Sequence, residues 1–128
     1  MNSEPLPTVF GATGEEAAAA FLEQHGFTVL ERNYHTRRGE IDLIAIDGGC
    51  LVFVEVKSSK RIPLDRMRER IDSRKQRRLY LAAQEYLLKR QPACDAVRFD
   101  ALLMRQVRAE EWQVEHLPDA FRLDEMPE

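Results

Sequence analysis

The stretch GEIDLIAIDGGCLVFVEVK, Gly39 to Lys57, decides how this chain is read. Two β-branched, apolar runs, Ile41–Ile46 and Leu51–Val56, flank Asp47-Gly48-Gly49-Cys50, whose paired glycines supply the positive φ of a tight hairpin turn. With Gly48 and Gly49 as the loop residues, Asp47 faces Cys50, and the register carried outward sets Asp42 opposite Glu55 and Glu40 opposite Lys57. Successive side chains alternate between faces, so Glu40, Asp42, Glu55 and Lys57 all emerge on one side. Directly opposed residues have Cβ atoms roughly 4.5–5.5 Å apart, a separation at which two carboxylates repel.

That repulsion asks for a cation. A divalent ion held between Asp42 and Glu55 turns a destabilising pair into a chelate, and hard oxygen donors favour Mg²⁺ or Mn²⁺ over zinc. Lys57, two residues beyond Glu55 on the same face, is placed to hold a phosphate oxygen or to position an attacking water. The implied chemistry is hydrolysis of a phosphodiester, with Asp42, Glu55 and Lys57 as catalytic candidates. As acids and a lysine on the exposed face of a hairpin, the same residues would need no function.

Upstream, Thr13 and Glu16 form the T-x-x-E pattern of a capping box, and Ala17, Ala18, Phe21, Leu22 and His25 recur at helical spacing until Gly26. Glu15 stands in the first turn without capping duty, where the helix dipole alone accounts for an acid. Residues 1–12, with Pro5 and Pro7, read as a loosely held arm. Phe27–Tyr34 predicts a strand, Arg37-Arg38-Gly39 a turn, and Ser58–Asp65 a loop containing Pro63. A helix runs from a cap at Asp72 or Ser73 to Pro92, with the state of Met67–Ile71 undecided. Val97–Met104 and Trp112–Leu117 predict two more strands. The order α-βββ-α-ββ fits an α/β fold of the α+β kind: a central mixed five-stranded sheet flanked by helices, in a single domain spanning 1–128.

Between Lys57 and Arg78 ten basic residues stand against three acidic ones, a local charge of +7, so the rest of a chain of net charge −3 carries −10. Such a patch attracts polyanions even in an acidic protein, because screening over about 10 Å makes near charge count most. Lys60, Arg61, Arg74, Lys75 and Arg78 are the candidates for following a nucleic-acid backbone. Gln76 and Tyr80, one helical turn apart, are candidates for touching a base or the scissile phosphate. A solvated helix face is the plain alternative.

Composition excludes several classes. The chain is 44% hydrophobic and 32% charged, with no apolar run long enough for a bilayer and an N-terminus, MNSEPLPTVFG, that lacks a signal-peptide pattern. The expectation is a cytoplasmic protein without membrane association. Cys50 and Cys94 lack CxxC spacing and read as small buried hydrophobes, and His25, His35 and His116 show no ligand spacing and read as polar or capping groups.

These residues amount to a recognisable pattern. GEIDLIAIDGGCLVFVEVK resembles the PD-(D/E)xK nuclease core. The wider set, GATGEEAAAAFLEQHGF (11–27), RNYHTRRGEIDLIA (32–45), LVFVEVKSS (51–59), RFDALLM (98–104) and HLPDAF (116–121), resembles the YraN-like family of uncharacterised bacterial proteins. The resemblance runs from about Phe10 to Phe121. It implies a restriction-endonuclease-like fold similar to archaeal Holliday-junction resolvases, with Asp42 and Glu55 as metal ligands, Lys57 as catalytic lysine and Glu15 as the helix acid that resolvases add to the metal site. Gln76 and Tyr80 resemble the Q-x-x-x-Y feature of RecB-type nucleases. Ile41 stands where the motif's name has proline, leaving the acid in position. Ser58-Ser59 replaces the aromatic or basic residue often found after the lysine, which bears on phosphate contacts rather than on metal binding.

The resulting expectation is a Mg²⁺- or Mn²⁺-dependent nuclease acting on DNA, with branched and single-stranded substrates both open. The alternative is a non-catalytic nucleic-acid-binding or partner-binding module on the same fold. The acidic stretch Glu110–Glu128 adds a third reading, in which it docks a basic protein partner or covers the basic helix in a homodimer.

Overall fold

The computed structural model of the chain describes residues 6–69 and 73–121, the side chains of residues 69, 73 and 74 excepted. Its elements are β1 (Thr8–Phe10), α1 (Gly14–Gln24), β2 (Thr28–His35), β3 (Glu40–Asp47), β4 (Cys50–Ser59), α2 (Leu64–Glu69), α3 (Ser73–Arg90), β5 (Ala96–Arg108) and β6 (Glu111–Phe121). The six strands form one mixed sheet in the order β1-β6-β5-β4-β3-β2. β2, β3 and β4 are an antiparallel meander, and α2 and α3 carry the chain across to β5, which runs parallel to β4.

The hairpin has the register the glycines dictate: Asp47 pairs with Cys50, and the ladder continues through Ile46–Leu51 to Leu43–Val54. Only Gly48 has the positive φ, +61°, so one glycine rather than two meets the turn's conformational demand. Alternation then sorts the side chains. Leu43, Ala45, Val52 and Val54 pack with Ala17, Ala18, Phe21 and Leu22 of α1, while Ile44, Leu51 and Phe53 pack with Leu79, Ala82, Ala83 and Tyr86 of α3. The central strands are thus buried on both faces, which is why they read as continuous apolar runs.

Three expectations need correction. Thr8–Phe10 is not part of a loose arm but a sixth strand, paired antiparallel with Gln113–Glu111, and Val9 is buried between its exposed neighbours. β4 runs on to Ser59, beyond the expected strand end at Val56, because β5 supplies parallel partners as far as Ser59–Arg105; the loop before α2 is correspondingly short. The strand expected at Trp112–Leu117 is present but longer, Glu111–Phe121, so it takes in the start of the acidic stretch, where Glu115 is engaged with Arg68 and Glu111 with Arg108. Of the segment left undecided, Met67–Glu69 belongs to α2, and residues 70–72 lie outside the described residues, as does the acidic stretch beyond Phe121.

Thr13 caps α1, its hydroxyl accepting from the Glu16 N–H at 3.1 Å. Glu16 reaches back one residue further than a capping box requires, to the Ala12 N–H at 3.2 Å. His25 closes the helix, with Nδ1 2.8 Å from the Phe21 carbonyl. Both cysteines are free and half-buried rather than fully buried. No helix among the described residues is long and apolar enough to cross a membrane.

Candidate active site where two strands part

The β3–β4 ladder stops at Leu43–Val54, one pair before the two acids. β4 continues along β5, while β3 stays with β2, where Glu40 pairs with His35. The expected pairing of Asp42 with Glu55 and of Glu40 with Lys57 is therefore not formed. In its place the Asp42 carboxylate accepts the next β4 donor, the Val56 N–H, at 2.7 Å. A side chain substitutes for a backbone carbonyl at the point of divergence, and the strands open.

The opening is a cavity of about 970 Å³. Glu40, Asp42, Glu55 and Lys57 all line it, so the same-face expectation holds although the ladder does not extend that far. Lys75, Arg78 and Leu79 of α3 form the opposite wall, and Thr36–Gly39, the turn between β2 and β3, closes one side. Two close approaches fix these walls. A Cβ on Gly39 would lie 2.6 Å from the Arg78 carbonyl oxygen, so the turn sits directly on the α3 backbone. A Cβ on Gly14 would lie 2.6 Å from the Ser58 Cβ, so the start of α1 abuts the end of β4 next to Lys57.

Burial pushes the Asp42 carboxyl above its usual value; the Val56 N–H opposes this, Glu15 and Glu40 reinforce it, and Lys75 counters them. The field of Glu15 thus reaches Asp42 from α1, although Glu15 itself is exposed and does not line the cavity. Among the described residues, no three His, Cys, Asp or Glu side chains converge to hold a metal ion. The donors that do meet in the cavity are hard carboxylate oxygens, and Asp42 is partly desolvated in the field of like charges. A divalent cation is the species that would relieve both conditions, so the donor set fits Mg²⁺ or Mn²⁺.

The predicted nucleic-acid contacts divide. Lys75 and Arg78 line the cavity. Lys60 and Arg61 are exposed just past β4, outside it. Gln76 is half-buried and lines neither of the two described cavities, and the Tyr80 hydroxyl accepts from Gln84 Nε2 at 2.8 Å. The Arg74 side chain lies outside the described residues. Sequence reasoning passed over Arg37 and Arg38, which line the cavity from the turn.

It also passed over Asp100, the one buried charged side chain among the described residues. Arg98 grips it bidentately, Nε to Oδ1 at 2.8 Å and an Nη to Oδ2 at 2.9 Å, while His116 Nε2 lies 2.7 Å from Oδ2 and the Asp119 N–H donates to Oδ1 at 2.9 Å. Burial raises the Asp100 carboxyl, but the hydrogen bonds from His116, Arg98 and the Asp119 N–H outweigh it and hold the group below 3.8, the usual carboxylate value. Arg98 also lies 5.8 Å from the centre of the Phe27 ring and 3.4 Å from Asp47. This cluster fixes the step in β5–β6 register between Phe99 and Ala101, where RFDALLM meets HLPDAF. It lines neither described cavity, and through His116 and Asp119 it ties β6 to Asp100 of β5.

The family model for the uncharacterised protein family UPF0102 matches residues 14–104. The chain belongs to that family. The match spans α1, the parting strands, α3 and most of β5, and it agrees with the YraN-like resemblance. A UPF0102 protein of Chlorobium chlorochromatii is 38% identical over 98% of this chain and all of its own length. One from Rhodococcus opacus is 40% identical over 87% of this chain and 94% of its own. One from Bifidobacterium longum is 42% identical over 90% and 94%. The mixed sheet with helices on both faces is compatible with a restriction-endonuclease-like core.

Proposed function

We propose that this UPF0102 member is a Mg²⁺- or Mn²⁺-dependent nuclease that hydrolyses phosphodiester bonds in cytoplasmic DNA. The observation that carries the reading is the meeting of Asp42, Glu55 and Lys57 in one cavity, at the point where β3 and β4 separate. Asp42 and Glu55 would hold the ion, with Glu15 as an additional acid from α1, and the bound ion would supply charge stabilisation at a phosphoryl oxygen and an acidified water. Lys57 carries three donors and no acceptor, which suits it to a non-bridging phosphate oxygen. Lys75 and Arg78 across the cavity balance the rest of the phosphodiester's charge. The Val56 N–H, by holding one Asp42 oxygen, fixes the direction of the other.

The test is cleavage of end-labelled DNA in linear, nicked, flapped and four-way forms. Wild-type protein should yield product with Mn²⁺ or Mg²⁺ and none in EDTA, and Asp42→Asn, Glu55→Gln or Lys57→Met should each slow it by at least about 10²-fold. Glu15→Gln should slow it less, since Glu15 acts on Asp42 from outside the cavity. Undiminished cleavage by Asp42→Asn or Glu55→Gln contradicts the proposal. DNA binding that is indifferent to EDTA and yields no product on any form supports the non-catalytic module instead.

A further inference from the structure

Beyond the Thr36–Gly39 turn lies a second cleft of about 740 Å³, and Arg37 and Arg38 line both it and the first cavity. The rest of its lining comes from α3: Leu81, Gln84, Leu87 and Leu88, with Leu88 left 77% exposed, and Glu85, whose carboxylate is paired with Lys89 at 3.4 Å. No ion pair or side-chain hydrogen bond with a described residue engages either guanidinium. The turn that carries them is nonetheless held firmly. The Thr36 hydroxyl accepts from the Arg38 and Gly39 N–H groups at 3.1 and 3.0 Å, and the Gly39 carbonyl accepts from the Thr36 N–H at 2.8 Å.

We propose that this second cleft is a pocket for an unpaired nucleotide of the bound strand, which passes from the first cavity across Arg37 and Arg38. The inference rests on the reading of the first cavity as a site for DNA. Size points to a nucleotide: the cleft falls in the range of about 300–1,000 Å³ that takes compact organic molecules, and an unpaired nucleotide enters it without the unpairing and unstacking cost that a duplex nucleotide must meet. Chemistry points the same way. A base offers an apolar face to Leu81, Leu87 and Leu88, and planar guanidiniums stack on base faces while meeting phosphate oxygens at their edges. The Tyr80 hydroxyl, hydrogen-bonded to Gln84, gives the predicted base contact an indirect part: it orients the amide that lines the pocket. A rigid turn bearing two cations loses little freedom on binding, which favours affinity.

The experiment is fluorescence polarisation with the full chain in EDTA, which separates binding from cleavage. Two DNA probes share one duplex, one blunt and one with a five-nucleotide single-stranded tail, and the ratio of their affinities is read within each variant. Wild-type protein should favour the tailed probe by about tenfold or more, the range of one or two stacked bases. Leu88→Ser, at an exposed position that folding does not need, and Leu81→Ser with it, should bring the ratio to within about twofold. Equal binding of the two probes by wild type, or an undiminished ratio in the double variant, overturns the proposal. So does a Leu88-dependent dimer in light scattering with an unaltered ratio, which would assign the patch to a protein partner. Cleavage without tail preference sinks this inference alone; tail preference without metal-dependent cleavage sinks the nuclease reading alone.

Discussion

Asp42 answers to two opposed demands. Its carboxylate accepts the Val56 N–H that β3 would otherwise have bonded, yet burial and the charges of Glu15 and Glu40 favour the protonated form. A carboxyl raised in the folded state binds its proton more tightly there than in the unfolded chain. Ionisation therefore costs stability, fully so above the folded pKa and not at all below the usual 3.8. Metal-free Asp42→Asn should thus melt at a higher temperature than wild type near pH 7.5, with the difference vanishing on acidification. Thermal melts in EDTA across that range check it, and a lower melting temperature at pH 7.5 counts against the burial argument. Asp100 has the reverse sign: its stabilisation is present above pH 3.8 and is lost as pH falls through the lower folded value. Asp100→Ala should cost about 1–3 kcal/mol in urea unfolding, because Arg98, His116 and the Asp119 N–H lose their shared acceptor while Asp47 still faces Arg98.

At the scale of elements, the site depends on how close α1 and α3 come to the strands. Gly14→Ala pushes a Cβ into Ser58 and should cost about 1–3 kcal/mol while moving Glu15 away from Asp42, so cleavage should fall further than stability alone explains. Denaturant titration beside single-turnover rates separates the two effects. What could be read in sequence at this scale was local. The hairpin register followed from two glycines and strict alternation, and the α1 cap from Thr13 and Glu16, with the reach of Glu16 to Ala12 as the detail missed. What could not be read was set by distant partners. A three-residue run such as Thr8–Phe10 has no strand signal until β6, about a hundred residues away, lies beside it. The end of the β3–β4 ladder likewise depends on β5 drawing β4 away, so the sequence placed four charges on one face but not the gap between the strands that makes the cavity. Arg37 and Arg38 looked like turn residues because only the docking of Gly39 on Arg78 directs them toward a site.

Taken whole, the molecule is acidic with a basic rim. Arg37, Arg38, Lys57, Lys75 and Arg78 surround three carboxylates, whereas the net charge is −3. DNA affinity should therefore fall steeply with salt, and Lys75→Gln with Arg78→Gln should flatten the slope of log K against log salt by about 2. A slope unchanged by the double variant would place the DNA elsewhere. The sheet's edges suit a chain that meets its ligand in a cavity rather than along a strand: β1 is three residues long, and β2 carries a register shift between Val29 and Glu31 and a positive φ at Asn33. The central claim, two carboxylates sharing one cation beside an ammonium, is tested most directly by isothermal titration of Mn²⁺ into wild-type protein, Asp42→Asn and Glu55→Gln. The account predicts saturable binding by wild type and its loss in both variants with the fold intact; Mn²⁺ uptake that is the same in all three would contradict it.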